Sequence, residues 1–176
     1  MSRPRLASDL FAVDIGNSKV LAVLYRAGHE AGRWRLDARG LPAGTMRRCW
    51  RAALASAQAL GAGSVPAFVA GVAPRQVEWI VAEMRHAGAR RVRVAGATDP
   101  WPFDLAVREP RSVGVDRLAN VAGLVALGAL RGVAVDAGTA ITVDVLRDGR
   151  FVGGLILPGF GLAARALHEH AALLPE

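Results

Sequence analysis

Two short segments of this sequence place an aspartate two residues before a glycine, each time directly after an apolar run. They are "VDIGNSKVLAVLY" at residues 13–25 and "VDAGTAITVDVLR" at residues 135–147. A glycine in a tight turn lets backbone N–H groups approach an anion, because no Cβ blocks the way. A nearby carboxylate can hold hydrated Mg²⁺ against the same phosphate. The pair therefore predicts two phosphate-binding hairpins that hold one nucleoside triphosphate from both sides.

The repetition is what favours this interpretation. A single Asp-x-Gly turn is typical of an ordinary β-hairpin, whereas two copies with identical spacing indicate a duplicated unit, one in each half of the chain. No GxxxxGK[ST] sequence is present, so a P-loop is not predicted. Lys19 directly follows the first turn, where it could contact a phosphate or lie in solvent on the strand.

A third segment, "VGVDRLANVAGL" at residues 113–124, places Asp116 and Arg117 at the start of a predicted helix. Aspartate is common in a first helical turn because negative charge suits the positive end of the helix dipole, and an arginine there can simply be solvated. Beside two phosphate hairpins, the same pair could serve phosphoryl transfer. The carboxylate would accept a proton from the attacking hydroxyl, and the guanidinium would offset negative charge.

Alternating and helical patterns predict the elements that position these residues. Asp148-Gly149 is the strongest hairpin-turn signal, Gly88 is expected to end a helix, and the proline-rich stretch 97–112 is the best candidate domain boundary. Strands are predicted at 11–15, 20–25, 33–41, within 65–74 and 90–96, and at 133–137, 140–147 and 151–157; helices are predicted within 49–60, 75–89, 113–130 and 162–174.

Composition excludes several classes of protein. The 176 residues are 52% hydrophobic with 20 glycines, which is typical of one globular domain or two small ones. The net charge of +7 is carried almost entirely by scattered arginines, so a nucleic-acid-binding track is not favoured. No apolar run is long enough to span a bilayer and no secretory signal is evident. The single cysteine, Cys49, fits a reducing cytoplasm.

Three segments follow one another in the order "DIGNS" (14–18), "GVDRLAN" (114–120) and "DAGTAITVDV" (136–145), and the third is extended by "GRFVGGLILPG" (149–159). Together, these segments resemble the motifs of the type III pantothenate kinases. These kinases belong to the acetate kinase/actin/Hsp70 superfamily. The resemblance implies an α/β, duplicated ribonuclease H-like (actin-like ATPase) fold. It also implies ATP-dependent phosphorylation of pantothenate, the first step of coenzyme A biosynthesis.

The resemblance also implies roles for individual residues. Asp116 would be the general base, with Arg117 orienting the substrate or stabilising charge, and Asp14 and Asp136 would bind the metal. The implied ATP-binding residues are Asp14, Gly16, Asn17, Ser18, Lys19, Gly138, Thr139 and Thr142, and the implied pantothenate-binding residues are Gly114, Val115, Asp116, Arg117 and Val107. Mg²⁺, a monovalent cation (potassium or ammonium), a cytoplasmic location and a homodimer are expected with them, and neither nucleic acid nor a membrane is expected as a partner.

Two differences from the family pattern bear on these expectations. Val107 stands where the family commonly has a tyrosine that walls the pantothenate pocket, and the chain is about a third shorter than a full family member. The end of the proline-rich stretch predicts domains at 1–112 and 113–176, and the short length predicts that the second half-domain is incomplete. A catalytically impaired, nucleotide-binding regulatory homologue is the alternative function.

Three further polar residues are not assigned to the site. His168 and His170 lie two residues apart, on different faces of the predicted last helix, which indicates surface histidines and not a metal pair. Asp144 lies in the outgoing strand of the second hairpin. From sequence it could face the site or solvent, and it ranks below Asp136 as a functional residue.

Overall fold

In the computed structural model, residues 9–17, 19–37, 43–59 and 65–170 are described. Nine strands and four helices are assigned in this part of the chain, with a short 3₁₀ turn at Pro110–Ser112. In chain order they are β1 Leu10–Ile15, β2 Lys19–Arg26, β3 His29–Asp37, α1 Ala43–Ala59, β4 Ala67–Gly71, α2 Pro74–His86, β5 Val92–Val94, β6 Asp104–Leu105, α3 Val115–Ala126, β7 Gly132–Ala137, β8 Ala140–Arg147, β9 Arg150–Pro158 and α4 Phe160–His170.

The chain divides into two compact units, residues 1–96 with 114–116, and residues 97–113 with 117–176. The expected ranges, 1–112 and 113–176, stay a prediction, and the observed division differs from them. The difference has a local cause, because β6, within the proline-rich stretch, pairs parallel to β9 in the second sheet. That pairing places the stretch in the second unit.

The first unit contains a five-stranded sheet in the order β3-β2-β1-β4-β5. The hairpin strands β1, β2 and β3 are antiparallel, and β4 and β5 are parallel to β1. Alternate β1 residues Phe11, Val13 and Ile15 are buried against side chains from α1 and α2. Because neighbouring side chains on a strand point to opposite faces, Asp14 lies on the face away from that core.

A half-buried ion pair joins the two helices of this unit. Arg47 Nε and Nη2 in α1 donate to the two carboxylate oxygens of Glu83 in α2, at 2.8 and 2.9 Å. Glu83 is nearly inaccessible to solvent, and the hydrogen bonds from Arg47 hold the pKa of its carboxyl below the usual 4.5. Glu83 therefore remains ionised and paired at neutral pH.

The second unit contains a four-stranded sheet in the order β6-β9-β8-β7, in which β7, β8 and β9 form an antiparallel meander. Its core is small, with Leu118 and Val121 of α3 packing against residues of β8 and β9, including Leu146 and Phe151. Large apolar side chains remain exposed on this unit, among them Val133, Val135, Leu155, Leu157 and Phe160.

Most predicted elements are confirmed, although α1 begins at Ala43, before its predicted range, and β6 lies in a stretch for which no strand was predicted. Gly88 ends α2 with φ of +113°, as expected, and the N–H groups of Gly88 and Ala89 bond to the carbonyls of Arg85 and Met84. The third strand begins at His29, four residues before the prediction, and its predicted end at 38–41 lies outside the described residues.

No helix in the described ranges is long and apolar enough to span a membrane.

Candidate active site

The first Asp-x-Gly segment forms the predicted hairpin turn. Ile15 pairs with Val20, and the Gly16 N–H donates to the Lys19 carbonyl at 3.0 Å, which closes the turn between β1 and β2. The side chains of Asp14, Asn17 and Lys19 are exposed. Ser18, the fourth polar residue predicted for this loop, lies outside the described residues. The turn thus presents a carboxylate, an amide and an ammonium group to solvent.

The second Asp-x-Gly segment also forms a hairpin turn, one residue shorter than the first, between β7 and β8. The Gly138 N–H donates to the Ala140 carbonyl at 2.9 Å, and Gly138 and Thr139 are exposed. Asp136 pairs with Thr142 across the strands, and directly opposed residues of an antiparallel pair share one face of the sheet. Asp136 is exposed, whereas Thr142 is buried.

The end of β9 supports this second loop. The Gly159 N–H donates to the Thr139 carbonyl at 3.0 Å, and Gly159 in turn accepts hydrogen bonds from the first residues of α4. A Cβ at position 159 would overlap the Gly138 carbonyl oxygen and lie 2.6 Å from the Thr139 carbonyl oxygen. Glycine at 159 therefore allows the chain to pack directly on the loop backbone.

Asp116 lies in the first turn of α3, where negative charge is favoured by the helix dipole. Gly114 lies just before the helix, and a Cβ there would overlap the present position of the Asp116 carboxylate. The same Cβ position is 3.6 Å from Val72, in the loop after β4. Gly114, Val115 and Asp116 all belong to the first unit. The Asp116 carboxylate is thus folded back over the backbone that precedes its own helix.

Arg117, the next residue, is held within the second unit. Its Nε donates to Asp144 Oδ1 at 2.6 Å, and its guanidinium carbon lies 5.6 Å from the centre of the Phe151 ring. Asp144 is fully buried, and the Arg117 side chain is only 14% exposed. The possibility that Asp144 faces solvent is therefore wrong, because β8 turns this residue toward α3 on the same face as Leu146.

Val107, predicted to wall a substrate pocket, packs at the edge of the second core. Its Cγ1 is 3.7 Å from the position that a Cβ on Gly153 would occupy. The adjacent residue of β9, Gly154, approaches Arg117 in the same way, since a Cβ there would lie 2.9 Å from Arg117 Nη2. Successive glycines of β9 thus adjoin both residues.

The structure places the predicted site residues in two groups. Asp14, Gly16, Asn17, Lys19 and Gly114 to Asp116 belong to the first unit; Val107, Arg117, Asp136, Gly138, Thr139 and Thr142 belong to the second. The expectation that the two hairpins bind one nucleotide remains a prediction. Sequence reasoning missed the contacts of Asp144, Phe151, Gly154 and Gly159. The only signal for them was the presence of a carboxylate and close-set glycines within apolar strands.

The carboxylates of Asp14 and Asp136 suit a metal ion that is bound together with substrate phosphates. No cluster of three or more histidine, cysteine, aspartate or glutamate side chains among the described residues could hold a metal ion alone. Asp14 and Asp136 each lie near the end of a strand beside a glycine turn. Mg²⁺ keeps several waters and is usually bound by one or two carboxylates together with substrate phosphates. The residues present therefore fit Mg²⁺ delivered with a nucleotide.

Comparison with solved structures defines the class of fold. A conserved Baf family protein from Campylobacter jejuni superposes with a TM-score of 0.56 at 20% identity, over 94% of this chain and 63% of that one. The ethanolamine utilization protein EutJ from Carboxydothermus hydrogenoformans gives the same TM-score at 19% identity, over 98% of this chain and 60% of that one. With its two mixed sheets, each built on an antiparallel hairpin unit, the chain has the predicted α/β, ribonuclease H-like (actin-like ATPase) fold.

The sequence comparisons define the family. The family model for type III pantothenate kinase matches residues 10–176, and the chain belongs to that family. The curated type III pantothenate kinase of Ruegeria sp. is 35% identical over 170 residues, which cover 95% of this chain and 65% of the relative. That of Caulobacter vibrioides is 31% identical over 171 residues, with the same coverage. The chain thus spans about two thirds of the length of these relatives.

Proposed function

We propose that this protein transfers the γ-phosphoryl group of ATP to the hydroxyl of pantothenate, giving 4′-phosphopantothenate and ADP, the first step of coenzyme A biosynthesis. The observation that carries the proposal is the Asp116-Arg117 pair at the start of α3, in a chain that belongs to this family. The relatives named above carry the name of the kinase, so they do not favour the binding-only alternative.

In the proposed reaction, Asp116 accepts the proton of the pantothenate hydroxyl as its oxygen bonds to the γ-phosphorus. The bond from that phosphorus to the bridging oxygen breaks, and ADP leaves with the electron pair. The guanidinium of Arg117 offsets the charge that spreads over the transferred group or orients the acceptor. Val107, Gly114 and Val115 border the acceptor.

Each Asp-x-Gly hairpin is proposed to bind phosphate oxygens of ATP. The first uses Gly16, Asn17, Ser18 and Lys19, and the second uses Gly138, Thr139 and Thr142. Asp14 and Asp136 would hold Mg²⁺, which neutralises phosphate charge when bound. We further propose a monovalent cation (potassium or ammonium) and a homodimer, which rest on the family resemblance. A cytoplasmic location is proposed from the single cysteine, and the domain ranges 1–112 and 113–176 from the proline-rich stretch 97–112.

The test is ADP formation measured with and without pantothenate. We expect pantothenate-dependent ADP formation by the native chain, and a loss of about 10²–10⁴-fold in kcat for Asp116→Asn with ATP binding retained. Asp148→Asn is the matched control, because it makes the same substitution at an exposed residue and Asn-Gly suits the same hairpin turn.

Two outcomes would contradict the proposal in different ways. ATP binding without pantothenate-dependent turnover by the native chain would support the binding-only alternative. Normal turnover by Asp116→Asn would keep the activity but remove Asp116 as its base.

A further inference from the structure

We propose that Asp144 is a positioning residue that holds the guanidinium of Arg117 in its working orientation, an inference that rests on the proposed function. Nothing in the family resemblance assigns a role to Asp144. Its contacts, described below, all lie within the second unit.

The contact between Asp144 and Arg117 is short and shielded from water. Arg117 Nε donates to Asp144 Oδ1 at 2.6 Å, and Asp144 Oδ2 is 3.4 Å from the hydroxyl of Thr142. Asp144 has no accessible surface. A charge-assisted hydrogen bond of this length fixes direction as well as distance, and burial reduces the screening that weakens surface pairs.

Two further neighbours restrict the guanidinium. The Phe151 ring lies beneath it, 5.6 Å from its central carbon, at a distance suited to a cation–π contact. The backbone of Gly154 approaches Nη2 so closely that a Cβ would lie 2.9 Å away. An arginine free in solution loses considerable rotamer entropy when ordered, and here the carboxylate, ring and backbone order it in advance.

The position of Asp144 in the fold makes this support rigid. Asp144 lies in β8, the central strand of the meander, paired with Ala134 on one side and Gly154 on the other. It therefore ties Arg117 to the middle of the second sheet. A pre-oriented charge stabilises a transition state without reorganisation during the reaction.

The first test measures the orientation without measuring activity. In ¹⁵N NMR spectra of the full chain, the Arg117 Nε–H should exchange slowly with water, and this protection should be lost in Asp144→Asn. Arg131 is the internal control, because its Nε also lies 2.6 Å from a carboxylate, that of Asp148, but both side chains are largely exposed. Arg117 exchange as rapid as that of Arg131 would overturn the proposal.

The second test is kinetic. Asp144→Asn should lower kcat by about 10–100-fold, since small misplacements of groups at a reacting centre have effects of this size, with KM for ATP nearly unchanged. In an Arg117→Ala background the same substitution should change kcat by less than about threefold, because the residue that it positions is already missing. A purely structural role would instead give independent losses in the two backgrounds.

Two controls keep the outcomes distinct. Thermal unfolding of each variant reports whether the fold survives; if Asp144→Asn does not fold, the Arg117→Met/Asp144→Leu variant removes both charges together and retains apolar volume. This double variant should fold but show the kcat of Arg117→Ala. Absence of turnover in the native chain would refute the proposed function, whereas native-like kcat in Asp144→Asn would refute only the positioning role.

Discussion

Gly159→Ala tests whether the packing of β9 on the second hairpin loop shapes the proposed ATP site. Gly159 carries no side chain and packs on the backbone of Gly138 and Thr139. An added Cβ would overlap the Gly138 carbonyl oxygen and lie 2.6 Å from that of Thr139. Backbone atoms cannot turn aside as a flexible side chain can, so the loop must shift.

The required displacement follows from these distances. Ordinary van der Waals contact begins at 3.4 Å, so the Thr139 carbonyl must retreat by about 0.8 Å, and the Gly138 carbonyl by more. Overpacking of this kind destabilises a protein by about 1–3 kcal/mol. Misplacement of a binding group by about 1 Å can reduce catalytic efficiency by roughly 10²-fold. We therefore expect kcat/KM for ATP to fall by about 10–100-fold.

The assay is ADP formation at varied ATP concentration, with urea unfolding to measure stability. Gly161→Ala is the matched control, because the nearest atom to its added Cβ is the flexible end of Arg165 at 3.8 Å. Gly161→Ala should leave both measurements nearly unchanged. Equal kinetics in the two variants would show that the loop tolerates the displacement, and that its present geometry does not matter for ATP.

Two further predictions concern stability. The pKa of Glu83 is lowered by hydrogen bonds from Arg47, and such a group stabilises the fold above its unfolded-state pKa and loses that effect as pH falls through the folded-state pKa. In urea unfolding at pH 7, Glu83→Gln should therefore be less stable than the native chain, and the difference in unfolding free energy should shrink below about pH 4.5. A difference that does not change with pH would contradict the lowered pKa of Glu83. Leu118→Ala, at a fully buried position in the second core, should lower the free energy of unfolding by about 2–5 kcal/mol, whereas Leu127→Ala, 67% exposed, should change it by less than about 0.5 kcal/mol. Similar losses in both leucine variants would mean that the second core is not assembled as described.

Local features of the site and fold were predictable because their causes are local. Asp148 and Gly149 both adopt positive φ, 52° and 70°, as a two-residue hairpin turn requires, and the dipeptide itself signals this. Gly88 ends α2 because glycine readily adopts the positive φ that is found there. The two Asp-x-Gly turns form where the residues indicate, since the apolar strands on either side of each turn set its position.

The contacts of Asp144 could not be predicted in this way. The sequence pattern around an aspartate in an apolar strand is the same whether its side chain faces solvent, a ligand or a buried arginine. Its partner Arg117 lies 27 residues earlier in the chain. Only the pairing of β8 with its neighbours and the packing of α3 determine which of these three the Asp144 side chain faces.

By itself, the sequence determined the order of the strands and helices other than β6, the two glycine turns, and the acidic and basic residues at the start of α3, because alternation, turn chemistry and motif order are properties of neighbouring residues. Tertiary structure alone decided that Asp144 is buried against Arg117 and that Gly159 must lack a side chain. Both facts depend on how closely segments far apart in sequence approach one another. The free energy of such contacts comes from packing and desolvation, which no local pattern records.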